Sequence, residues 1–75
     1  MIKVIIRNNI EPTVVLVPGT ATVRSVLEDN NIEYARKAIH LEGDPVEGAD
    51  LDRSFESFGQ KDTWHLGVVA KTDNA

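Results

Sequence analysis

One stretch of this chain has a clear helical period, and nearly everything before and after it reads as strand or turn. Val23, Val26 and Leu27 fall at i, i+3 and i+4, which sets them on one face of a helix within Thr22 to Ile32. Arg24, Ser25, Glu28 and Asp29 take the outer face. Thr22 stands just before the first apolar position, where its hydroxyl can accept from an orphan amide of the first turn; Thr20 is a competing cap. Asn30 and Asn31 follow the last periodic residue and tolerate the left-handed conformation that ends helices. Ile32 sits where an apolar contact closes such an end. A helix of about ten residues is marginal alone in water, so it needs a sheet to pack on.

The sheet is legible on both sides of it. Ile2 to Arg7 is rich in β-branched residues, and Ile2, Val4 and Ile6 alternate with Lys3, Ile5 and Arg7. Asn8-Asn9 signals a turn. Thr13 to Val17 is a second strand, with Pro12 excluding its start from a central position. The unbroken run Val14 to Val17 leaves its inward face undecided. The short spacing makes the first two strands an antiparallel hairpin. After the helix, Glu33 to Lys37 is a polar connection in which Tyr34 and Ala35 are placed to cover a helix end. Ala38 to Glu42 is a third strand, with Ile39 and Leu41 inward and His40 outward. Gly43-Asp44 is read as a tight turn and Pro45 to Glu47 as a short edge strand. Leu51, Phe55 and Phe58 lie at i, i+4 and i+7, which predicts one or two helical turns plugging the core, with Asp52 as cap and Gly59 as stop. Trp64 to Lys71 is the last strand. Trp64, Leu66, Val68 and Ala70 share one of its faces; His65, Gly67, Val69 and Lys71 share the other. A hairpin, a crossover helix and returning strands give an α+β layer pair, with the first and last strands side by side at its centre.

Composition narrows the function classes. Seventy-five residues make one domain, and the absence of cysteine leaves no disulfide or thiolate metal site to support it. The net charge of −4, with acids gathered from Glu42 to Asp62, makes a poor nucleic-acid binder. No apolar run reaches the roughly 18 residues of a membrane span, and the start is too short and too charged for a signal peptide. A cytoplasmic monomer is expected, with residues 1–71 forming the domain and the polar stretch 72–75 a flexible tail.

Several matches in order and spacing now come together. They are Met-Ile-Lys-Val at the start, Val-Pro-Gly-Thr-Ala-Thr-Val before the helix and Val-Leu-Glu-Asp-Asn-Asn-Ile closing it. Ile-His-Leu-Glu-Gly-Asp-Pro-Val follows, then Leu51, then Gln-Lys-Asp-Thr-Trp-His-Leu. Over residues 1–71 the chain resembles a ubiquitin-like β-grasp protein. The resemblance implies a five-stranded mixed sheet of order 2-1-5-3-4, one main helix across it, and a short helix before the last strand. Ubiquitin and its sulfur-carrier relatives act through a terminal Gly-Gly; here the sequence ends Lys-Thr-Asp-Asn-Ala and contains no Gly-Gly. The positions matching ubiquitin's apolar recognition patch are His40, His65 and Gly67, so its usual readers are not expected to bind. The pattern is similar to non-conjugating bacterial ubiquitin-like proteins that serve as docking modules.

His40 and His65, on adjacent strands with Glu42 nearby, could begin a zinc site, but zinc takes three or four protein ligands; a polar sheet surface is the plainer reading, and a pH-sensitive contact the intermediate one. The acids from Glu42 to Glu56 lack the ligand series of a calcium loop. Ser25, Ser54 and Ser57 have no catalytic partners in sequence. Pro18-Gly19-Thr20 lacks the Gly-rich run and Lys of a phosphate loop. Neither metal nor cofactor is expected, and no enzyme activity. The expected core comprises Ile2, Val4, Ile6, Val15, Val17, Val23, Val26, Leu27, Ile39, Leu41, Leu51, Phe55, Phe58, Leu66 and Val68, with Trp64 mostly buried in phase with them. The expected function is protein docking through Arg7, His40, His65, Gly67 and Val69 on the open sheet face, or by strand addition at a free edge. The alternatives are a C-terminally conjugated modifier or sulfur carrier, and a small self-assembling structural protein.

Overall fold

A computed structural model describes residues 1–8 and 11–70. Five strands form one mixed sheet: β1 (Ile2–Asn8), β2 (Glu11–Val17), β3 (Lys37–Leu41), β4 (Asp44–Val46) and β5 (Thr63–Ala70), in the order β2-β1-β5-β3-β4. β1 and β5 run parallel at the centre, and the other pairs are antiparallel. Helix α1 (Val23–Asp29) lies across one face. The order expected from the sequence is the order found. The turn residue Asn9, Lys71 and the tail 72–75 lie outside the described residues.

Alternation decides which side chains enter the core. Val4 and Ile6 of β1, Ile39 and Leu41 of β3, and Trp64, Leu66 and Val68 of β5 point towards α1, which buries Val23, Val26 and Leu27 against them. Phe55 fills the open end, its ring 6.0 Å from that of Trp64. Ile32 and Val46 join this core, though the sequence pattern did not place them there. Ile2, Val15, Val17, Leu51 and Phe58 pack against it while staying partly exposed.

The helix ends follow local chemistry. Thr22 is the N-cap: its hydroxyl accepts from the Ser25 amide at 3.0 Å, and the Ser25 hydroxyl accepts from the Thr22 amide at 3.1 Å. Thr20 takes no part in this cap. At the other end Asn31 adopts φ 58°, and Ile32 donates back to the Leu27 carbonyl at 2.9 Å.

Two local readings are corrected. The hairpin between β3 and β4 turns at Glu42-Gly43, one residue earlier than Gly43-Asp44, with φ of 52° and 86° at the two positions. The Leu51 to Phe58 segment is two pieces: a 3-10 helix, Gly48–Asp52, then a single turn α2, Phe55–Phe58. The break at Arg53 and Ser54 lets this segment pair with the strand-like entry to α1. Phe55 donates to Ala21, Glu56 to Gly19, and Ser54 bridges Thr22. Asp52 caps no helix; its carboxylate takes the Arg24 guanidinium on both oxygens, at 2.7 and 3.4 Å. Gly59, at φ 145°, ends α2 as read from the sequence.

Both prolines of the sheet sit where a missing N–H costs nothing. Lys3 donates its amide to Asp62 at 2.8 Å, on the β5 side. Backbone direction alternates along a strand, so Lys3, Ile5 and Arg7 address β5, and Ile2, Val4 and Ile6 address β2. Pro12, opposite Arg7, therefore aims away from β1. On β3, Glu42 donates to His65 at 2.9 Å, which by the same alternation turns Pro45, opposite His40, to the outer edge.

Candidate functional site

Among the described residues, no other element covers the face of the sheet away from α1. Its rows can be read from the register. Pro12, Arg7, Gly67, His40 and Pro45 form one row across all five strands. Val14, Ile5 and His65 form the next, and Leu16, Lys3 and Thr63 the one after. On the other side of the first row, Val69 stands beside Ala38. Thus Arg7, His40, His65, Gly67 and Val69, singled out from the sequence, do share one face. Val14, Leu16 and Val69 are 55%, 65% and 51% exposed on it.

Gly67 is the centre of this surface. A Cβ there would meet only the backbone oxygen and Cβ of His40, at 3.8 and 3.9 Å, which is ordinary contact. Its backbone does not demand glycine, so the small residue leaves a bare patch between Arg7 and His40. A hollow of about 390 Å³ lies at one end of the face, between Arg7, Pro12 and Val69.

His40 and His65 are diagonal neighbours on this face. His40 stands opposite Gly67, two residues along β5 from His65. The Glu42 carboxylate does not complete a metal triad, because it is already engaged. At φ 52° Glu42 turns out of the strand, and its own carboxylate takes the His65 amide that an ordinary strand residue would receive on its carbonyl. The same carboxylate accepts from Lys61 Nζ at 2.8 Å and lies 3.0 Å from His65 Nδ1. The Lys61 hydrogen bond is the largest influence holding the Glu42 carboxyl down at a pKa of about 2. Among the described residues, no three His, Cys, Asp or Glu side chains gather as a metal site.

The charges are distributed unevenly. Lys3 and Arg7 project from β1 onto the open face, and neither is ion-paired among the described residues. On the helix side a group of charges around Arg24 is linked. Arg24 binds Asp52 and donates to the Tyr34 hydroxyl at 3.1 Å, and Tyr34 donates to Glu28 at 2.6 Å. These contacts, Asp52 first, raise the Arg24 pKa further. Tyr34 thus lies along the flank of α1, between Arg24 and Glu28, whereas the sequence pattern places Tyr34 and Ala35 over a helix end.

An open groove of about 640 Å³ runs between Tyr34, Leu51 and the β4 edge, and reaches the sheet face at His40 and Pro45. It has no buried, convergent polar set of the kind that fixes a small ligand; it continues the sheet face around its edge. Sequence reasoning also missed Lys3, Ile5, Val14, Leu16 and the two prolines as members of the face. The signal that places Lys3 and Ile5 was present in the β1 alternation; for Val14 and Leu16 only the pairing register supplies it. No described helix is long and apolar enough to cross a membrane.

No family model matches the sequence. No curated protein matches it either. Among solved structures, the chain is similar to a ubiquitin-like protein from the hyperthermophilic archaea Caldiarchaeum subterraneum, with a TM-score of 0.54 and 18% identity over 97% of both chains. At that identity the likeness establishes the architecture and leaves the surface chemistry to be read from this chain's own residues: the fold is a ubiquitin-like α+β β-grasp.

Proposed function

We propose that the chain is a non-enzymatic protein-docking module that receives a partner protein on the open face of its sheet. The observation that carries this reading is the uncovered five-strand row Pro12-Arg7-Gly67-His40-Pro45, flanked by exposed Val14, Leu16 and Val69. A bare glycine among apolar and basic side chains suits an apolar protrusion on the partner, and Lys3 and Arg7 suit acidic groups beside it. The non-enzymatic part is supported by the ubiquitin-like fold, and Glu42, Arg24 and Asp52 serve in ion pairs of the domain itself. Docking without conjugation is the reading in which the sheet face, and not the chain end, performs the function. A cytoplasmic setting goes with it.

The test is recovery of partners on the tagged full chain, under mild and under denaturing washes. A stoichiometric protein kept by the mild wash and lost on denaturation is expected, and His40→Glu with His65→Glu should abolish its binding by adding negative charge to the contact. A larger covalent species that survives denaturation would overturn the reading in favour of a modifier.

A further inference from the structure

β2 is an edge strand, and among the described residues no element pairs with its outer side. Val17, Val15 and Thr13 bond inwards to β1, so the alternating residues Leu16 and Val14, opposite Lys3 and Ile5, aim their N–H and C=O groups out of the sheet. Exposed edges are normally blunted by a charge, a bulge or a proline. Between Pro12 and Pro18 this strand has none: Thr13-Val-Val-Leu-Val17 is uncharged and continuous. Its outward side chains, Val14 and Leu16, are also among the most exposed large apolar groups of the domain.

We propose that this edge pairs with itself: two copies associate through antiparallel pairing of Thr13 to Val17 about a two-fold axis at Val15. The positions are self-complementary. Val14 falls opposite Leu16 of the second copy, and Leu16 opposite Val14, so each free donor and acceptor meets its counterpart. Thr13 meets Val17. Pro12 and Pro18, which lack amides, fall opposite each other just beyond the paired segment, so no donor is missing within it. On the outer face, Val14 and Leu16 of each copy close over those of the other as directly opposed pairs. The strip is uncharged from Thr13 to Val17, so no like charges face each other across the paired segment, and the repulsion between two chains of net charge −4 acts only from outside it. A two-fold axis normal to the sheet keeps both open faces on the same side, so the pair presents two docking faces together. Five residues a side is far short of the roughly 20–30 of a standard interface, so the association is weak and the chain is monomeric when dilute.

Sedimentation of the full chain over roughly 10 μM to 1 mM, the range suited to so small a contact, tests this. The average mass is expected to rise towards that of a dimer. Val14→Lys with Leu16→Lys places like charges opposite each other and should weaken association about tenfold or more, with native Trp64 fluorescence confirming the fold. Val14→Lys with Leu16→Glu places opposite charges in the same pairs and should restore association. A wild type that stays monomeric throughout overturns self-pairing and leaves the edge to a strand from another protein. So does a double-lysine variant that associates as well as wild type.

Discussion

Glu42→Gln isolates the charge of one carboxylate while keeping its length, its turn conformation and an oxygen for the His65 amide. The native carboxyl has a pKa of about 2 against an ordinary 4.5. At roughly 1.36 kcal/mol per pH unit, that difference sets a ceiling of about 3.4 kcal/mol. The realised value is smaller. The Glu42 side chain is 27% exposed and that of Lys61 46%, so water and salt screen the pair, and about 1 kcal/mol is the reasonable expectation. A carboxyl whose pKa is depressed by folding contributes its full stability above the unfolded pKa and loses it as pH falls through the folded one. The contribution should therefore be complete at pH 7, decline below 4.5, and be largely gone near 2. Urea unfolding of wild type and variant at a series of pH values reads it directly. With a slope of roughly 1 kcal/mol per molar urea for so small a domain, the midpoints should differ by about 1 M at pH 7 and converge in acid. Other carboxylates titrate in both proteins and cancel in the difference. Equal midpoints at pH 7, or a gap that persists unchanged below pH 2.5, would refute the assignment of the Glu42–Lys61 pair as a charge-dependent clamp.

Three further outcomes follow from the packing. Thr22→Ala removes the hydroxyl that accepts the Ser25 amide and should cost about 1 kcal/mol, read as a drop of roughly 4–8 °C in Tm. Phe55→Ala empties the fully buried end of the core at a cost of about 3–5 kcal/mol, enough to leave a domain of this size largely unfolded. Trp64, 4% exposed in the native chain, should then lose its blue-shifted emission for that of indole in water. Gly67→Gln should leave urea stability within about 0.5 kcal/mol, because a Cβ fits there at 3.8 Å, yet abolish partner recovery by filling the bare centre of the face. Retained binding by that folded variant would remove Gly67 from the contact.

What was legible in the sequence was what local chemistry or a clean period determines. Thr22 caps α1 because its partner Ser25 is three residues away, and Asn31 ends it because few other residues take φ 58° cheaply. The alternation in β1 and β5 fixed their faces, and the full sheet order came from the resemblance to β-grasp proteins. The misread features depend on partners distant in sequence. Asp52 looked like a cap but is held by Arg24, 28 positions away. Leu51 to Phe58 has helical spacing, yet Arg53 and Ser54 break the helix because the entry to α1 offers them strand-like pairing. The β3–β4 turn was displaced by one residue because a glutamate at positive φ is unexpected; here its carboxylate supplies the acceptor that its turned carbonyl withdraws. The five residues named in advance all lie on the open face, because two faces of a strand are separable by parity alone. Val14 and Leu16 were not named, since an unbroken apolar run carries no parity.

That same run explains why the sheet edge and the sheet face belong to one functional question. A strand with apolar side chains on both faces is ordinarily buried on both, as in the interior of an α/β sheet. β2 is instead an edge strand whose inner face, Val15 and Val17, is only partly covered, and whose outer face, Val14 and Leu16, is bare. Within the single domain Val14 stands beside Ile5, so the outer pair contributes cross-strand contact, and anything that covers it adds apolar burial. A partner on the open face would bury Val14 and Leu16 from above, and a second copy at the edge would bury them from the side. The two modes compete for the same side chains only where a partner reaches past Ile5 to β2. A partner confined to Arg7, Gly67, His40 and Val69 should bind the monomer and the pair alike. Measuring partner affinity with the double-lysine and the charge-complementary variants separates the cases: equal affinity places the partner over β5 and β3, and loss with both variants places it over β2.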